Sequence, residues 1–364
     1  MKYQGMSEHF SHDQPARTGV LITNLGTPDA PTKPALRRYL NQFLSDPRVI
    51  ELPRLLWWLI LHGIVLRTRP AKSAEGYRGV WTQEGSPLLV YTKKQAEGLE
   101  QRLRFRYGRD IEVAFAMRYG NPSIESALEE LQRRGVRQLL VLPMYPQYSA
   151  STTGSTFDAL SADFQRRRWL PDLRFISHYH DFEPYTEALA RKIEHFWQDN
   201  GRPDKLILSY HGVPKRYLRN GDPYHCECHK TTRLLAARLG LREGEYQTTF
   251  QSRFGREEWL KPYTDETMMA LPREGVKSVH VVCPGFSSDC LETIEEIDEE
   301  NRGYFMEAGG ETFHYIPALN ADERHIDMIM ALVEKHLQGW HLPTNDAQTL
   351  AVCKERAQLM GAER

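Results

Sequence analysis

Short apolar runs alternate along the chain with longer stretches in which apolar residues recur every three or four positions. Several of the short runs are apolar at successive positions and rich in β-branched residues, as buried parallel strands are. The longer stretches have helical spacing; residues 123–134, for example, begin after Pro122 and end at Gly135. This alternation predicts an α/β fold with parallel sheets, in two units of about four strands each. The predicted strands are 19–23, 113–117, 138–142, 174–177, 206–209, 246–250, 278–282 and 312–316.

The length of the chain predicts more than one domain, because 364 residues exceed the size at which a single core stops growing. We expect an N-terminal α/β domain over residues 18–180 and a C-terminal α/β domain over residues 181–320. A helix is predicted over residues 321–340, where apolar residues share one stripe. A polar extension at residues 1–17 and a polar tail at residues 341–364 complete this division.

The most apolar run, residues 55–66, raises the question of a membrane. A spanning helix needs about 20 apolar residues, whereas this run is shorter and contains His62 and Gly63. It is therefore either a buried helix or an exposed apolar lip that docks on a bilayer surface. Tryptophans such as Trp57 and Trp58 are favoured at such a surface.

Composition and charge argue against several classes of protein. Lys and Arg number 47 and Asp and Glu number 48, so no cationic excess draws the chain to nucleic acid. The N-terminus has neither an apolar nor an Arg-rich targeting pattern. An odd number of cysteines, five, argues against a disulfide framework. We therefore expect a cytoplasmic protein without a nucleic-acid partner.

Polar and aromatic residues cluster just after the predicted strands. In open α/β sheets, ligands bind beyond the carboxyl ends of the strands. The aromatic, cationic, imidazole and hydroxyl groups at these ends suit a flat, largely apolar ligand that carries a few anionic groups. These residues are Asn24, Gly26, Arg118, Tyr119, Met144, Tyr145, His211, Arg253 and residues 284–290.

His211 is the first candidate for chemistry. It follows the predicted strand at residues 206–209 and precedes Gly212, which lets a ligand approach the backbone. A histidine in this position can accept a proton or ligate a metal. The alternative is a loop histidine whose hydrogen bonds are satisfied within the protein.

A row of glutamates is the second candidate. Glu292, Glu296 and Glu300 recur every four positions after the predicted strand at residues 278–282, so they form a slowly drifting row along a helix. A local π-turn would align the row better. Stacked carboxylates repel one another and need a cation, which indicates metal or proton traffic. The alternative is a solvated acidic face.

A weaker candidate is a zinc site at Cys226 and Cys228, which are flanked by His225 and His229. A structural zinc site needs four ligands, and adjacent residues rarely all serve.

Several blocks of sequence, in order from about residue 20 to about residue 320, resemble the ferrochelatase family. The clearest is LSYHGVPKRYLRNGDPY at residues 208–224, which is similar to the family's active-site histidine block. Others are QSRFGREEWLKPYTDE at residues 251–266, CPGFSSDCLETIEEID at residues 283–298, GSPL at residues 85–88, MRYGNP at residues 117–122 and PMYPQYSASTTGST at residues 143–156.

The resemblance implies a chelatase-like fold of two Rossmann-like domains with a porphyrin held in the cleft between them. It also implies that His211 and Glu292 face each other across the macrocycle as catalytic and metal-binding residues. Glu296 and Glu300 would extend the acidic row for metal or proton transfer. The remaining residues that the resemblance places in the porphyrin pocket, near the metal or beside the ring, are Arg118, Tyr119, Trp259, Ser86 and Tyr145.

The implied reaction is the insertion of ferrous iron into protoporphyrin IX, the last step of haem biosynthesis. We favour His211 as the proton acceptor and Glu292 as the residue that delivers iron, and the reverse assignment stays open. Alternatives are a chelatase for another metal or for coproporphyrin, and a haem- or metal-binding protein without turnover. The apolar run at residues 55–66 would then be a lip beside the porphyrin entrance, giving peripheral contact with the inner membrane.

Two departures from animal members of the family bear on cofactors. Position 290 is Cys where they have His, and position 150 is Ala where those with an iron–sulfur cluster have a Cys ligand. We therefore expect no iron–sulfur cluster and no tightly bound cofactor, with ferrous iron as a substrate. A monomer or a homodimer is expected.

Overall fold

The computed structural model describes residues 3–5, 10–108, 111–340 and 346–363. All eight predicted strands are present, within a few residues of their expected bounds. The strands are β1 (Arg17–Thr27), β2 (Ile111–Gly120), β3 (Val136–Pro143), β4 (Asp172–Phe175), β5 (Lys205–His211), β6 (Tyr246–Gln251), β7 (Ser278–Val282) and β8 (Thr312–Ile316).

Helices connect the strands, and the expected helix at residues 123–134 is confirmed with Ser123 as its cap. The Ser123 Oγ accepts a hydrogen bond from the Ser126 N–H at 3.1 Å. The α-helices are α1 (Lys33–Leu44), α2 (Arg54–Ile60), α3 (Leu66–Val80), α4 (Pro87–Tyr107), α5 (Ile124–Arg133), α6 (Ser155–Phe164), α7 (Glu183–Asn200), α8 (Lys215–Arg219), α9 (Tyr224–Leu239), α10 (Thr264–Ala270), α11 (Arg302–Glu307), α12 (Glu323–Leu337) and α13 (Ala347–Leu359). Among the described residues, π-helices cover Leu61–Val65, Ala150–Gly154 and Glu292–Asn301, and a 3₁₀-helix covers Leu271–Glu274.

The strands form two four-stranded sheets of the same topology. The first has the order β2-β1-β3-β4 and the second β6-β5-β7-β8, and neighbouring strands are parallel throughout. In each sheet the second strand in the chain lies on one side of the first strand, and the third and fourth strands lie on its other side. Ligands bind at such switch points, so the carboxyl ends of β1, β3, β5 and β7 mark where a site is expected. The α/β prediction with parallel sheets is therefore confirmed.

Helix α12 packs against α4 and β3 of the N-terminal unit, and against α7. Ile326 and Ile329 of α12 are buried in one apolar core together with Val20 of β1 and Leu208 of β5. Because this core contains residues of both sheets, the two α/β units are joined by apolar packing as well as by the chain. The tail helix α13, by contrast, buries none of its residues.

The apolar run at residues 55–66 is divided between core and surface. Trp57 is 9% exposed and donates its indole N–H to the Leu44 carbonyl at 2.6 Å, so it belongs to the core. Trp58 is 56% and Leu55 76% exposed. The expected lip is therefore wrong for Trp57, because helical spacing turns neighbouring residues to different faces. No helix among the described residues is long and apolar enough to cross a membrane.

Candidate active site

A cavity of about 460 Å³ lies between the two α/β units at the carboxyl ends of their strands. This volume is within the range of about 300 to 1,000 Å³ typical of sites for small molecules. Residues 24–27 at the end of β1 and Met144 after β3 form one wall, and His211 at the end of β5 forms part of the other. The predicted site residues that line the cavity are Ser86, Tyr145, His211, Trp259, Glu292 and Glu296.

The imidazole of His211 is oriented by its own backbone neighbour. Its Nδ1 lies 2.6 Å from the Gly212 carbonyl oxygen, which can only accept a hydrogen bond. In the neutral imidazole the proton therefore sits on Nδ1, and Nε2 keeps its lone pair. Residue 212 must be small, because a Cβ there would lie 2.7 Å from the Gln251 carbonyl oxygen and 3.0 Å from the Trp259 ring.

Glu292 is the first residue of the ten-residue π-helix Glu292–Asn301. The sequence suggested only a local π-turn, so the π-helix is longer than expected. π-Helical segments are rare in proteins, and those that occur are often found at functional sites. Burial raises the pKa of Tyr39 and Tyr77, and the negative charge of Glu292 raises both further. Both tyrosines therefore stay protonated beside the carboxylate.

Glu296, one step along the row, is held by the residues that follow β6. The Ser252 N–H donates to its Oε1 at 2.6 Å, and the Ser252 hydroxyl donates to Oε2. Ser252 adopts a φ of 66°, an unusual conformation for a residue other than glycine, and its N–H thereby contacts the carboxylate. Burial raises the pKa of Glu296, although the Ser252 bonds and the nearby His211 oppose the rise. Glu296 therefore takes up a proton more readily than an exposed glutamate.

The acidic row continues from the cavity to the surface. Glu292 and Glu296 line the cavity, whereas Glu300 is exposed. Burial and the neighbouring carboxylates raise the pKa of Glu295, which lies beside the row. The carboxylates thus repel one another, and protons or cations relieve that repulsion.

Arg118 and Tyr119 do not line the cavity, although the resemblance to the family placed them in the pocket near the metal. Both donate to the buried Asp46, with Arg118 Nη2 at 2.5 Å and the Tyr119 hydroxyl at 2.8 Å from Oδ2. Ser155 donates to the same oxygen at 2.6 Å. These residues form a polar network behind the wall. Sequence reasoning missed Asp46, because its position in the FLSDPRV segment gives no sign of the distant partners it meets.

Replacing Asp46 with Asn tests this network. Burial alone would raise the pKa of Asp46, but the bonds from Ser155, the Arg48 N–H and Tyr119 outweigh burial and lower it. The stability from this carboxylate is therefore present above the ordinary pKa of about 3.9 and is lost as the pH falls through the lowered pKa. We expect Asp46→Asn to lower the free energy of unfolding at pH 7 by about 2 to 4 kcal/mol.

Chemical unfolding of the parent and of Asp46→Asn, at pH 7 and in acid, checks this expectation. The difference between their free energies of unfolding should shrink below about pH 4. Asp158→Asn is the matched control, because Asp158 pairs with Arg48 at the half-exposed surface and its loss should cost under about 1 kcal/mol. Equal stability of Asp46→Asn and the parent at pH 7 would contradict the network.

Aromatic, hydroxyl and cationic groups complete the cavity lining. Trp259 is nearly buried beside His211, with ring centroids 6.5 Å apart. The Tyr145 hydroxyl is buried and has no hydrogen-bond partner among the described residues. Ser86 accepts a hydrogen bond from Thr27 at 2.8 Å. Arg69 also lines the cavity, with its guanidinium 5.8 Å from the Phe254 ring. The lining therefore offers apolar faces together with a cation.

The cysteine pair on α9 does not form the zinc site that its spacing suggested. Cys226 is exposed and Cys228 is fully buried, because residues two apart on a helix point to different sides. The rings of His225 and His229 lie 4.4 Å apart and pack near Phe250. The four side chains therefore do not converge on one point.

The chain is similar to known proteins over nearly its whole length. The profile of the family described as Ferrochelatase matches residues 17–337. A protein named Ferrochelatase from Marinobacter nauticus is 67% identical over 359 residues, covering 99% of this chain and 96% of that one. Another from Idiomarina loihiensis is 66% identical over 340 residues, covering 93% of each chain. Among solved structures, the cobalt complex of the sirohydrochlorin chelatase SirB from Bacillus subtilis subspecies spizizenii is 10% identical, with a TM-score of 0.49, covering 90% of this chain and 99% of that one.

Proposed function

The chain belongs to the ferrochelatase family, whose members are metal-chelating lyases that insert ferrous iron into protoporphyrin, and we propose that His211 and Glu292 carry out this reaction in the cavity. One observation carries the proposal: His211 and Glu292 line the same cavity between the sheets. The imidazole of His211 has its Nδ1 engaged by the Gly212 carbonyl, which leaves Nε2 for the substrate, and the carboxylate belongs to the first residue of a π-helix. The reaction needs both kinds of group. Two pyrrole protons must leave the porphyrin as one Fe²⁺ enters.

His211 is proposed as the proton acceptor. Its Nδ1–H is engaged by the Gly212 carbonyl, so Nε2 is the nitrogen that can take a pyrrole proton. Glu296 is near enough to His211 for their charges to interact, and its raised pKa suits a group that passes protons onward. The row of glutamates then offers a route to solvent at Glu300.

Glu292 is proposed as the residue that delivers iron to the ring. Ferrous iron accepts carboxylate ligands, and the negative row from Glu300 inward attracts a divalent cation to the cavity. Because the iron is a substrate, its ligands must also release it. The deprotonated pyrrole nitrogens would then replace the carboxylates as ligands of the ion.

The porphyrin ring is proposed to lie against Trp259 and Tyr145, with Ser86 at its edge. An aromatic wall binds a flat macrocycle through its faces. Arg69 and Arg253 line the same cavity and are the cations proposed to meet the propionate groups. Arg253 is also paired with Glu266 at 3.0 Å, so Arg69 is the freer of the two.

Substrate choice is tested with the purified protein under anaerobic conditions. We expect protoporphyrin IX with ferrous iron to react faster than coproporphyrin with ferrous iron or protoporphyrin with cobalt. Initial rates follow from the absorbance of each metalloporphyrin. A faster rate with coproporphyrin or cobalt would reassign the substrate or the metal.

Peripheral contact with the inner membrane, from the cytoplasmic side, is proposed for the exposed part of the apolar run. Five apolar residues there are more than half exposed, and a tryptophan at such a patch favours a bilayer surface. These residues are Leu55, Leu56, Trp58, Leu59 and Ile64.

Replacing Trp58 with Ser should lower co-sedimentation with liposomes severalfold, because it removes the largest exposed apolar side chain of this patch. Phe105→Ser is the matched control, since Phe105 is 95% exposed on α4, outside the patch. Sedimentation of both variants is measured with the same vesicles. If Trp58→Ser and Phe105→Ser bind equally well, the patch does not dock on membranes.

A further inference from the structure

Three potential metal ligands meet behind the cavity wall, from two segments of the chain that are about 50 residues apart. His178 and His180 follow β4, and Glu227 lies in the first turn of α9. His178 Nδ1 is 2.7 Å from Glu227 Oε1, and His180 Nδ1 is 3.3 Å from Glu227 Oε2. One ligand atom from each of the three residues lies within 4.8 Å of the other two.

Burial distinguishes this cluster from an ordinary surface group. The side chains of His180 and Glu227 are each 7% exposed. The 3.3 Å contact of His180 Nδ1 with the Glu227 carboxylate does not have good hydrogen-bond geometry, and no other described residue offers this buried nitrogen a hydrogen bond. A buried ring nitrogen without a partner is costly unless something else binds it.

We propose that His178, His180 and Glu227 form a second metal site, separate from the cavity, for a divalent cation of the first transition row such as zinc. Two imidazoles and one carboxylate are a common ligand set for such ions, with a fourth position left for water. Ligand atoms in a tetrahedral zinc site lie roughly 3.4 Å apart, given bonds of about 2.1 Å. The three ligand atoms already lie within 4.8 Å of one another, so that spacing would be reached by side-chain movements alone. His178 is half exposed, which leaves a path for the ion.

The surroundings of the cluster support this assignment. The Tyr148 N–H donates to Glu227 Oε2 at 2.7 Å. Glu227 is thus fixed by the backbone as well as by the histidines.

A bound cation would join segments that form the cavity wall. The His180 carbonyl accepts from Thr231 Oγ1 at 2.9 Å, and Gln147 donates to the same hydroxyl oxygen at 3.0 Å. Gln147 lines the cavity. The ion would therefore link the segment after β4 to helix α9, and through Glu227 and Thr231 of that helix to Tyr148 and to Gln147 of the cavity wall. An ion that binds the folded state and not the unfolded state raises the melting temperature.

Zinc binding to protein that carries His211→Ala and Glu292→Gln tests the site, because these changes remove two cavity side chains that are able to ligate a metal. Equilibrium dialysis should show one zinc per chain in this background. Adding His178→Asn should raise the dissociation constant at least about tenfold and abolish the rise in melting temperature with zinc. Cobalt in place of zinc should give visible bands that the same change removes.

His225→Asn is the matched control, since it removes an imidazole from the neighbouring histidine pair on the same helix. It should leave zinc binding unchanged. Glu227→Gln provides a second test, and folding of each variant is checked by circular dichroism. The proposal is overturned if the background protein binds no zinc, if His178→Asn binds zinc as tightly as its parent, or if His225→Asn has the larger effect.

Discussion

Replacing His211 with Ala should reduce iron insertion at least about a hundredfold while leaving porphyrin affinity within a few-fold of the parent. The loss of a general base typically costs this much, because no other group takes the proton in the transition state. Binding should survive, since one imidazole contributes little of the area that a macrocycle buries against a wall that includes Trp259 and Tyr145. Porphyrin fluorescence quenching and haem absorbance are measured on the same sample.

Added imidazole provides the control for this variant. A small base diffusing into the space left by the side chain should restore part of the lost rate, whereas a misfolded protein would not respond. Turnover above a few per cent of the parent without added imidazole would rule out His211 as the base. Loss of porphyrin binding in parallel with turnover would indicate a structural role instead.

Replacing Glu292 with Gln should also reduce turnover at least about a hundredfold, whereas Glu300→Gln should mainly raise the apparent Michaelis constant for iron. The two substitutions should differ in effect because of where the residues lie: Glu292 lines the cavity, and Glu300 is exposed two steps further along the row. The Gln side chain keeps the shape and removes the charge that attracts the cation. Initial rates over a range of iron concentrations separate the two effects.

Glu307→Gln, which removes a glutamate of α11 outside the row, is the matched control and should leave both constants unchanged. An equal loss of turnover at Glu292 and Glu300 would contradict a directional route. Full activity of Glu292→Gln would remove its proposed role altogether.

Much of the fold follows from local patterns. Short apolar runs with β-branched residues predicted all eight strands, because buried parallel strands need apolar residues on both faces. The position of His211 beyond a strand and before Gly212 likewise predicted a place in the cavity. The spacing of the glutamates suggested a π-turn, and the structure contains a π-helix there. Each of these features depends on residues that are close in sequence.

Features that depend on distant contacts could not be predicted. Trp57 and Trp58 are adjacent and chemically alike, yet one packs under the Leu44 carbonyl and the other faces outward. Arg118 and Tyr119 stand at a strand end, but Asp46 holds them behind the wall.

The residues around 226 show the same limit. The two cysteines and their flanking histidines suggested a zinc site because they are close in sequence. Glu227, between them, is the residue that meets two histidines from a segment about 50 positions earlier. No pattern along α9 signals such a contact, because its partners are set by how the two sheets pack together.

Multiple turnover by the purified protein tests the central claim most directly. Protoporphyrin IX and ferrous iron in excess over protein are mixed under anaerobic conditions, and haem absorbance is followed with time. The account predicts many equivalents of haem per chain, at a rate proportional to protein concentration and lost in His211→Ala. A single equivalent of bound porphyrin or haem, with no further product, would contradict it and indicate a binding protein.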